Sequence, residues 1–348
     1  MYTLKSIPED FIVNEVAFPP ISDRGDYAIF EMRKRDYTTP DAVRRIADEA
    51  RKDIKDFGFA GNKDRKAITT QYISIFRGSP SLQALSLPDI NLSFKGYSKK
   101  RIALGDLEGN EFVITIRGMD NAKLKAIKKF EKENAITPLP IPNYFGQQRF
   151  SSANHLIGRE IVKNDFGKAA ELIIQHDREY ASLIGAYLGE NPNNSIGALR
   201  LVRSSTLRMY IHAYQSFLFN AILLRVIGKT KKSHSGKSIS SLPIIGFGAE
   251  PEGLEQPVRK IVEELLKKEG ISPRNFINRQ MPELSSEGAM RDAFFAAPDF
   301  RIVEEEGDER FAGKRKAVVK FTLKKSCYAT VLLPYILEGC PDIIGNLP

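Results

Sequence analysis

The sequence is poor in the residues from which metal sites and disulfide frameworks are built. Among 348 residues there is no tryptophan, and there are only two cysteines and four histidines. Cys327 and Cys340 do not form a CxxC pair, and the histidines are scattered along the chain. This pattern supports neither a disulfide framework nor a zinc site. We therefore expect no metal, and we expect both cysteines to pack in the interior.

Long apolar runs and cofactor motifs are also missing. No segment approaches the roughly 18 consecutive apolar residues that a membrane helix needs, and the N-terminal MYTLKSIPEDF lacks the apolar core of a signal peptide. No GxxxxGK[ST] or HExxH motif occurs, and Gly246-Phe247-Gly248 lacks the third glycine of a dinucleotide fingerprint. We expect a cytoplasmic protein without membrane contacts and without a cofactor.

Positive charge is in excess, with 52 Lys and Arg against 43 Asp and Glu, a net charge of +9. The excess is clustered, since cations group at 33–35, 63–66, 99–101, 123–132 and 229–237. A basic surface attracts polyanions and speeds their association. RNA or DNA is thus a leading partner, although many globular proteins are mildly basic for no specific reason.

One stretch, FGFAGNKDRKAITTQYISI from Phe57 to Ile75, stands out chemically. It predicts a turn at Gly61-Asn62 followed by Asp64 between cations and then by a β-rich segment. Nearby positive charge favours the ionised carboxylate. Asp64 is therefore a candidate nucleophile or base. The alternative is a turn residue in a solvated charge cluster.

The order of periodic patterns predicts two domains. Strand patterns dominate up to a proline-rich connector at 137–142, helical patterns follow, and strand patterns return from Phe300. A helix capped by Thr39 is expected to present Val43, Ile46 and Ile54 on its apolar face. Such an order indicates that the middle of the chain is inserted into a domain built from both ends. The predicted fold class is α+β, with a mixed or antiparallel sheet and an inserted, mainly helical domain.

A second informative segment runs from Gly96 to Gly118. Three cations, Lys99, Lys100 and Arg101, precede turns and a strand with alternating apolar residues. The simple alternative is a β-hairpin with a basic, solvated edge. At the other end of the chain, the apolar residues from Tyr328 to Leu333 predict a strand.

Several short motifs resemble one family. Gly61-Asn62-Lys63-Asp64 with Ala67, Thr69 and Gln71 resembles the G-x-K-D-x-x-A-x-T-x-Q signature of the TruD family of tRNA pseudouridine synthases. Further matches follow in the same order along about 330 residues. They are Leu4-Lys5, Pro8 to Phe11, Leu104 to Leu107, Gly109-Asn110 with Phe112, Asn143 to Gly146, Gln148 to Phe150 and Tyr328 to Thr330. The Tyr214-Gln215-Ser216-Phe217 sequence indicates the archaeal branch.

The resemblance implies a fold and a reaction. It implies a V-shaped molecule with an RNA cleft between a pseudouridine-synthase catalytic domain (1–142 and 300–348) and an inserted family-specific domain (143–299). The implied reaction converts uridine to pseudouridine in tRNA, typically at position 13, without cofactor. We expect a monomer whose partner is tRNA.

The resemblance also assigns roles to residues. It makes Asp64 the catalytic aspartate, places Lys5, Asn110 and Phe112 in the active site, and adds Phe11 as a nearby aromatic. Lys5 would pair with Asp64, Asn110 would bond the uracil edge, and Phe112 would pack on its face. Whether the carboxylate attacks C1′ of the sugar, attacks C6 of the ring or acts without a covalent intermediate stays open. The cations expected to bind phosphates are Lys63, Arg65, Lys99, Lys100, Arg101 and Arg149, and the run Lys229 to Lys237 would extend this contact.

Two departures and two alternatives accompany the resemblance. Ser151-Ser152 stand where the family usually has a glycine, and Leu333-Pro334-Tyr335-Ile336 replaces the usual L-R-E-I.

A catalytically silent RNA-binding or RNA-chaperone protein is one alternative, but pure binding does not need a carboxylate facing a polyanion. An unrelated enzyme acting on a small anionic substrate explains the charge but not the series of motifs.

Overall fold

The computed structural model describes residues 2–230 and 239–339. The described chain forms two compact units, one made of residues 2–140 and 296–339 and the other of residues 141–295. Cys327 is half-buried. Cys340 and most of the basic run Lys229 to Lys237 lie outside the described residues, and so do the packing and RNA contacts predicted for them.

Strands are concentrated in the first unit and helices in the second. In chain order, the strands are β1 (Phe11–Val16), β2 (Tyr27–Arg35), β3 (Phe57–Phe59), β4 (Ile68–Phe76), β5 (Ile90–Ser98), β6 (Gly109–Met119), β7 (Ile141–Pro142), β8 (Ser241–Ile244), β9 (Ala289–Asp292), β10 (Phe294–Phe295), β11 (Arg301–Gly307) and β12 (Arg315–Lys324). The helices are α1 (Thr39–Ala50), α2 (Asn121–Ile136), α3 (Asn154–Val162), α4 (Phe166–His176), α5 (Ala181–Glu190), α6 (Ser195–Leu199), α7 (Ser204–Thr230), α8 (Val258–Glu269) and α9 (Ala329–Glu338).

The first unit is built on an eight-stranded sheet that takes strands from both ends of the chain. Its order is β11-β12-β6-β1-β4-β2-β5, with β3 also paired to β4. Strands β1 and β4 run parallel, whereas the other pairs, such as β1 with β6, are antiparallel. The α+β class and the mixed sheet predicted from the sequence are confirmed.

The central position of β1 decides which motifs become neighbours. Val13 on β1 lies opposite Phe112 of β6 on one side and beside Thr69 of β4 on the other. Strand β4 follows the loop that carries Asp64, and β6 carries Asn110. The Asp64 loop and Asn110 therefore belong to strands that flank β1 on opposite sides.

Helix α1 covers one half of the sheet. Its apolar face, formed by Ala42, Val43, Ile46 and Ala47, packs into a core with buried residues of β2, β4 and β5. Two details of the sequence prediction are wrong. Thr38, not Thr39, caps the helix, and it accepts a hydrogen bond from the Asp41 amide. Ile54 lies beyond the helix end and is exposed, because the chain already leaves the helix through Arg51 in the left-handed conformation.

The second unit is mainly helical and is organised around α7. Most of the apolar side chains of this helix are buried, including Tyr210, Tyr214 and Leu218. Helix α3 packs along it, and two short ladders, β7 with β10 and β8 with β9, complete the unit. Helix α6 was not predicted from the sequence, because five residues are too few to show a helical period.

Two predicted elements differ in the structure. Of the residues predicted as a strand, Tyr328 is the N-cap of helix α9 and Ala329 to Leu333 lie within it, since a short apolar run fits a buried helix as well as a strand. The segment from Gly96 to Gly118 is not a hairpin, because β5 pairs with β2 while β6 pairs with β1 and β12. Among the described residues, no helix combines the length and apolar character needed to cross a membrane.

Close packing between α3 and α7 depends on Gly158. A methyl group at this position would lie 2.0 Å from the backbone carbonyl oxygen of Tyr210. We expect Gly158→Ala to lower the free energy of unfolding by about 1–3 kcal/mol, because the helices must separate. Gly185 of α5 has open space around it, so Gly185→Ala should leave stability unchanged or raise it by up to about 1 kcal/mol. Urea unfolding of both variants measures the difference, and equal midpoints would contradict the packing argument.

Candidate active site

Asp64 lies in the loop between β3 and β4, as the sequence predicts. Its side chain is 45% exposed, while Ala60 before it and Ala67 after it are buried. The Asp36 amide donates to the Ala67 carbonyl at 3.2 Å, and the Gly105 amide donates to the Ala60 carbonyl at 2.8 Å. Both ends of the loop are thus fixed to the body of the first unit while the carboxylate faces outward.

The interior side of the loop is held by a closed series of hydrogen bonds. The Lys63 amide donates to Thr39 Oγ1 at 2.9 Å, and this hydroxyl donates to Gln71 Oε1 at 2.7 Å. Gln71 Nε2 then donates back to the Gly61 carbonyl at 3.0 Å. Thr39 and Gln71 are almost fully buried. Since unpaired polar groups in the interior are costly, these residues specify one loop conformation.

Lys63 forms a buried ion pair instead of a surface cation. Its Nζ lies 2.5 Å from Glu15 Oε2, and the two side chains are 6% and 0% exposed. The Lys63 charge is therefore already paired and covered in the described structure, and its predicted phosphate contact stays a prediction. Removing one partner of such a pair leaves an uncompensated charge and typically costs about 3–5 kcal/mol. Lys63 anchors the loop one residue before Asp64.

A second buried lysine reaches the loop from β2. Lys34 is 1% exposed, and its Nζ donates to the Asp64 carbonyl at 3.1 Å and to the Tyr37 carbonyl. The pKa of Lys34 is lowered to about 8, mainly by burial; the Asp64 charge opposes this shift, and the Lys63 charge adds to it. Lys34 thus holds the main chain of Asp64 through its carbonyl.

Lys5 pairs with the Asp64 carboxylate, as expected from the sequence. Its Nζ lies 2.6 Å from Asp64 Oδ2 and 4.0 Å from the centre of the Phe11 ring. The Phe11 ring meets Phe112 edge-on at 6.1 Å. A continuous set of contacts therefore links Asp64 to strands β1 and β6.

The segment that carries Lys5 is itself fixed by Arg117 of β6. Thr3 and Arg117 exchange backbone hydrogen bonds of 3.0 and 2.9 Å. The Arg117 guanidinium contacts Asp10 at 2.8 Å and Asp308 at 3.2 Å, and both carboxylates are buried. Arg117 thus joins the N-terminal segment, β6 and the C-terminal part of the chain.

The predicted uracil-binding residues are close to one another but differ in accessibility. Phe11 is 2% exposed and Phe112 is 7% exposed, and the Phe112 ring stacks on Phe321 at 5.4 Å. Asn110 precedes Phe112 by two residues on the same strand, and its Oδ1 is buried without a partner among the described residues. These side chains can form an apolar floor with one free hydrogen-bond acceptor.

The other predicted phosphate-binding cations fall into three groups. Arg65, Lys99 and Lys100 are exposed. The Arg101 guanidinium instead donates to the Phe57 carbonyl and ties the Lys99–Arg101 segment to β3. Arg149 lies in the second unit, where its Nε donates to Ser216 Oγ at 3.3 Å. The contribution of Arg65, Lys99, Lys100, Arg101 and Arg149 to RNA binding stays a prediction.

Sequence reasoning missed the interior groups Glu15, Lys34 and Thr39. A signal was present for two of them. Lys34 continues the inward-facing series of Ala28, Phe30 and Met32 on β2, and Glu15 continues the series of Phe11 and Val13 on β1. A charge at an inward-facing position of a strand indicates a buried ionic contact.

The chain is similar to known proteins over nearly its whole length. A family model described as tRNA pseudouridine synthase D (TruD) matches residues 2–183, 178–236 and 227–335. A relative from Methanosarcina acetivorans named "Probable tRNA pseudouridine synthase D" is 31% identical, covering 97% of this chain and 93% of its own. The "tRNA pseudouridine synthase D" of Aquifex aeolicus is 27% identical, with 98% of each chain covered.

A solved structure has the same fold. It is the crystal structure of the "Putative tRNA pseudouridine synthase D (TruD)" from Methanosarcina mazei, with a TM-score of 0.73 and 28% identity. The alignment covers 96% of this chain and 93% of that chain. The similarity therefore extends through both units.

The buried Lys34 should give folding stability a distinctive pH dependence. Its pKa in the folded chain, about 8, lies below the ordinary 10.5, so the unfolded chain binds more protons between these values and stability rises with pH. Relative to Lys34→Met, the wild type should gain about 1–2 kcal/mol of unfolding free energy between pH 7 and pH 9.5. A Lys125→Met variant, which removes an exposed lysine of α2, serves as the control. The stability difference between the wild type and Lys125→Met should not change with pH in this range. If it changes as much as the difference between the wild type and Lys34→Met, a buried, charged Lys34 is contradicted.

Proposed function

The chain belongs to the tRNA pseudouridine synthase D (TruD) family, and from this premise we propose that it isomerises uridine to pseudouridine at position 13 of tRNA with Asp64 as the catalytic carboxylate. The observation that carries the role of Asp64 is its setting. A half-exposed carboxylate is paired with Lys5 at 2.6 Å on a loop whose interior side is fixed by buried hydrogen bonds.

The reaction requires both a charged group and a firm hold on the base. The N1–C1′ bond breaks, the uracil turns, and a C5–C1′ bond forms, while C5 loses a proton and N1 gains one. A fixed carboxylate can act as a nucleophile or stabilise the developing charge. The ammonium of Lys5 orients the Asp64 carboxylate through its contact of 2.6 Å. Asp64 thus meets the requirement for a negative group that is already oriented before substrate binds.

The neighbouring residues suit a uracil that has left its stack. Base-modifying enzymes extrude their target and hold it through its edge and its face. We assign Asn110 to the edge, since its Oδ1 lacks a partner among the described residues and can accept a uracil N–H. Phe112 supplies the apolar floor, and Phe11 acts mainly by supporting Lys5.

The first unit would carry the chemistry, and the second would be the family-specific domain. In the described part of the chain, the side chains that contact Asp64 are those of Lys5 and Lys34, and both belong to the first unit. The isomerisation leaves the atoms and oxidation level of the nucleoside unchanged, so it requires no redox cofactor. We further propose that the protein acts as a monomer on tRNA in the cytoplasm without a metal ion.

Replacing the carboxylate tests the catalytic role directly. Asp64→Asn keeps the shape of the side chain but removes its charge, so we expect a fall in turnover of at least about 10³-fold with intact folding. Tritium release from 5-³H-uridine-labelled tRNA measures turnover, and mapping of the product identifies the modified position. Asp48→Asn, on the exposed face of α1, should keep wild-type activity.

The outcomes separate an enzyme from a binding protein. Substantial release by Asp64→Asn would contradict the catalytic role of this residue. No release by the wild type, with tRNA binding intact, would instead favour a catalytically silent RNA-binding protein.

The exposed pair Lys99 and Lys100 should contribute to the salt dependence of tRNA binding. Each phosphate contact releases counterions, so the double Ala variant should flatten the slope of log K against log salt by about 1–2. The double Ala variant of Lys129 and Lys132, exposed on α2, is the charge-matched control. Filter binding at four salt concentrations gives the slopes. An equal change of slope in both variants would contradict a contact between the Lys99–Lys100 pair and the tRNA phosphates.

A further inference from the structure

An open pocket of about 420 Å³ lies in the first unit beside the Asp64 loop. Its walls come from Glu15 of β1 and the following residues 17–20, from Tyr72 of β4, and from residues 100–102 and 105–108 between β5 and β6. Asp64 and the residues assigned to the uracil are not among its lining residues. The lining thus contains none of the residues proposed to hold the target uridine, although Glu15 lies opposite Asn110 in the β1–β6 ladder.

Two direct contacts join the pocket walls to the catalytic loop. Glu15 lines the pocket, and its carboxylate pairs with Lys63, the residue before Asp64. Gly105 also lines the pocket, and its amide donates to Ala60 at the start of the loop. The pocket is thus connected by direct contacts to the loop that carries Asp64.

An exposed aromatic side chain forms part of the rim. Phe18 is 78% exposed although it lines the pocket. Pro19 and Pro20 follow it, and two consecutive prolines restrict the backbone that presents the ring. Exposed aromatics beside basic residues are the usual platforms for unpaired bases, because every base offers a flat face for stacking.

The pocket is lined by charged residues of both signs. Lys100 lines the pocket, Lys99 precedes it, and both are exposed without an ion pair among the described residues. Asp106 and Glu108 lie on the wall, and Asp106 Oδ2 accepts from the Ala103 amide at 2.8 Å. Carboxylates repel phosphate but accept hydrogen bonds from the N–H groups that every nucleobase carries.

We propose that this pocket binds one unpaired nucleotide of the substrate RNA other than the target uridine, with its base stacked on Phe18 and its phosphate beside Lys100. The inference rests on the proposed function, since it assumes that RNA is the substrate. The nucleotide adds binding energy away from the reacting atoms, so its loss raises KM and leaves kcat unchanged.

Substitution of Phe18 tests the subsite. In the tritium-release assay on labelled tRNA, Phe18→Ala should raise KM about tenfold at constant kcat. Phe18→Trp keeps a stacking face and should retain a KM close to that of the wild type. Ile54→Ala removes another exposed apolar side chain of the same unit, and it should change neither constant.

The assay distinguishes failure of the subsite from failure of the proposed function. If the wild type releases tritium and Phe18→Ala has an unchanged KM, the pocket does not bind RNA although the enzyme assignment stands. A lower kcat with unchanged KM would likewise overturn the inference, because it would place Phe18 in the chemical step. If the wild type releases no tritium, the proposed function itself fails.

Discussion

The arrangement of the candidate site depends on a buried ion pair next to an exposed carboxylate. A loop that contains Gly61 and Asn62 has many accessible conformations, and ordering it costs conformational entropy. The pair between Lys63 and Glu15 opposes this cost, because moving the loop would leave both charges unpaired in the interior. Thr39 and Gln71 add hydrogen bonds with the same consequence. The buried contacts thereby order the loop on its interior side, and the Asp64 carboxylate stays accessible on its exposed side.

Arg117 has a comparable role for the residue that pairs with Asp64. Lys5 lies near the N-terminus, where chains are usually poorly ordered unless they are tied down. Backbone bonds to Thr3 and ionic contacts to Asp10 and Asp308 tie this segment to β6. The two charges of the Lys5–Asp64 pair thus come from separately anchored segments. Because both segments are fixed, Lys5 and Asp64 stay paired in one geometry although both side chains are partly exposed.

The site also contains an unfavourable feature that its geometry explains. Lys34 and Lys63 carry the same charge in the interior of one unit, and their proximity together with burial lowers the pKa of Lys34. A well-packed apolar residue at position 34 would avoid this cost. It could not donate hydrogen bonds to the Asp64 and Tyr37 carbonyls. Stability is commonly reduced at functional sites in this way, since they need polar groups in fixed positions.

The sequence by itself determined the main elements and the candidate carboxylate. Alternating apolar residues predicted the strands of the sheet, and the turn signals around Asp64 placed it correctly between two strands. Short apolar runs were less informative, since the residues from Tyr328 to Leu333 fit a buried helix or a strand equally well. The ordered series of motifs identified the family because each motif occurs with its own spacing.

Only the tertiary structure decided what the cations do. Lys63, Arg65 and Lys100 look alike in sequence, yet Lys63 is covered by Glu15 while Arg65 and Lys100 are exposed. The difference arises because β1, a strand from the start of the chain, lies between β4 and β6 and brings Glu15 to the loop. A pairing between residues 48 positions apart depends on strand order and register, which local sequence patterns do not encode.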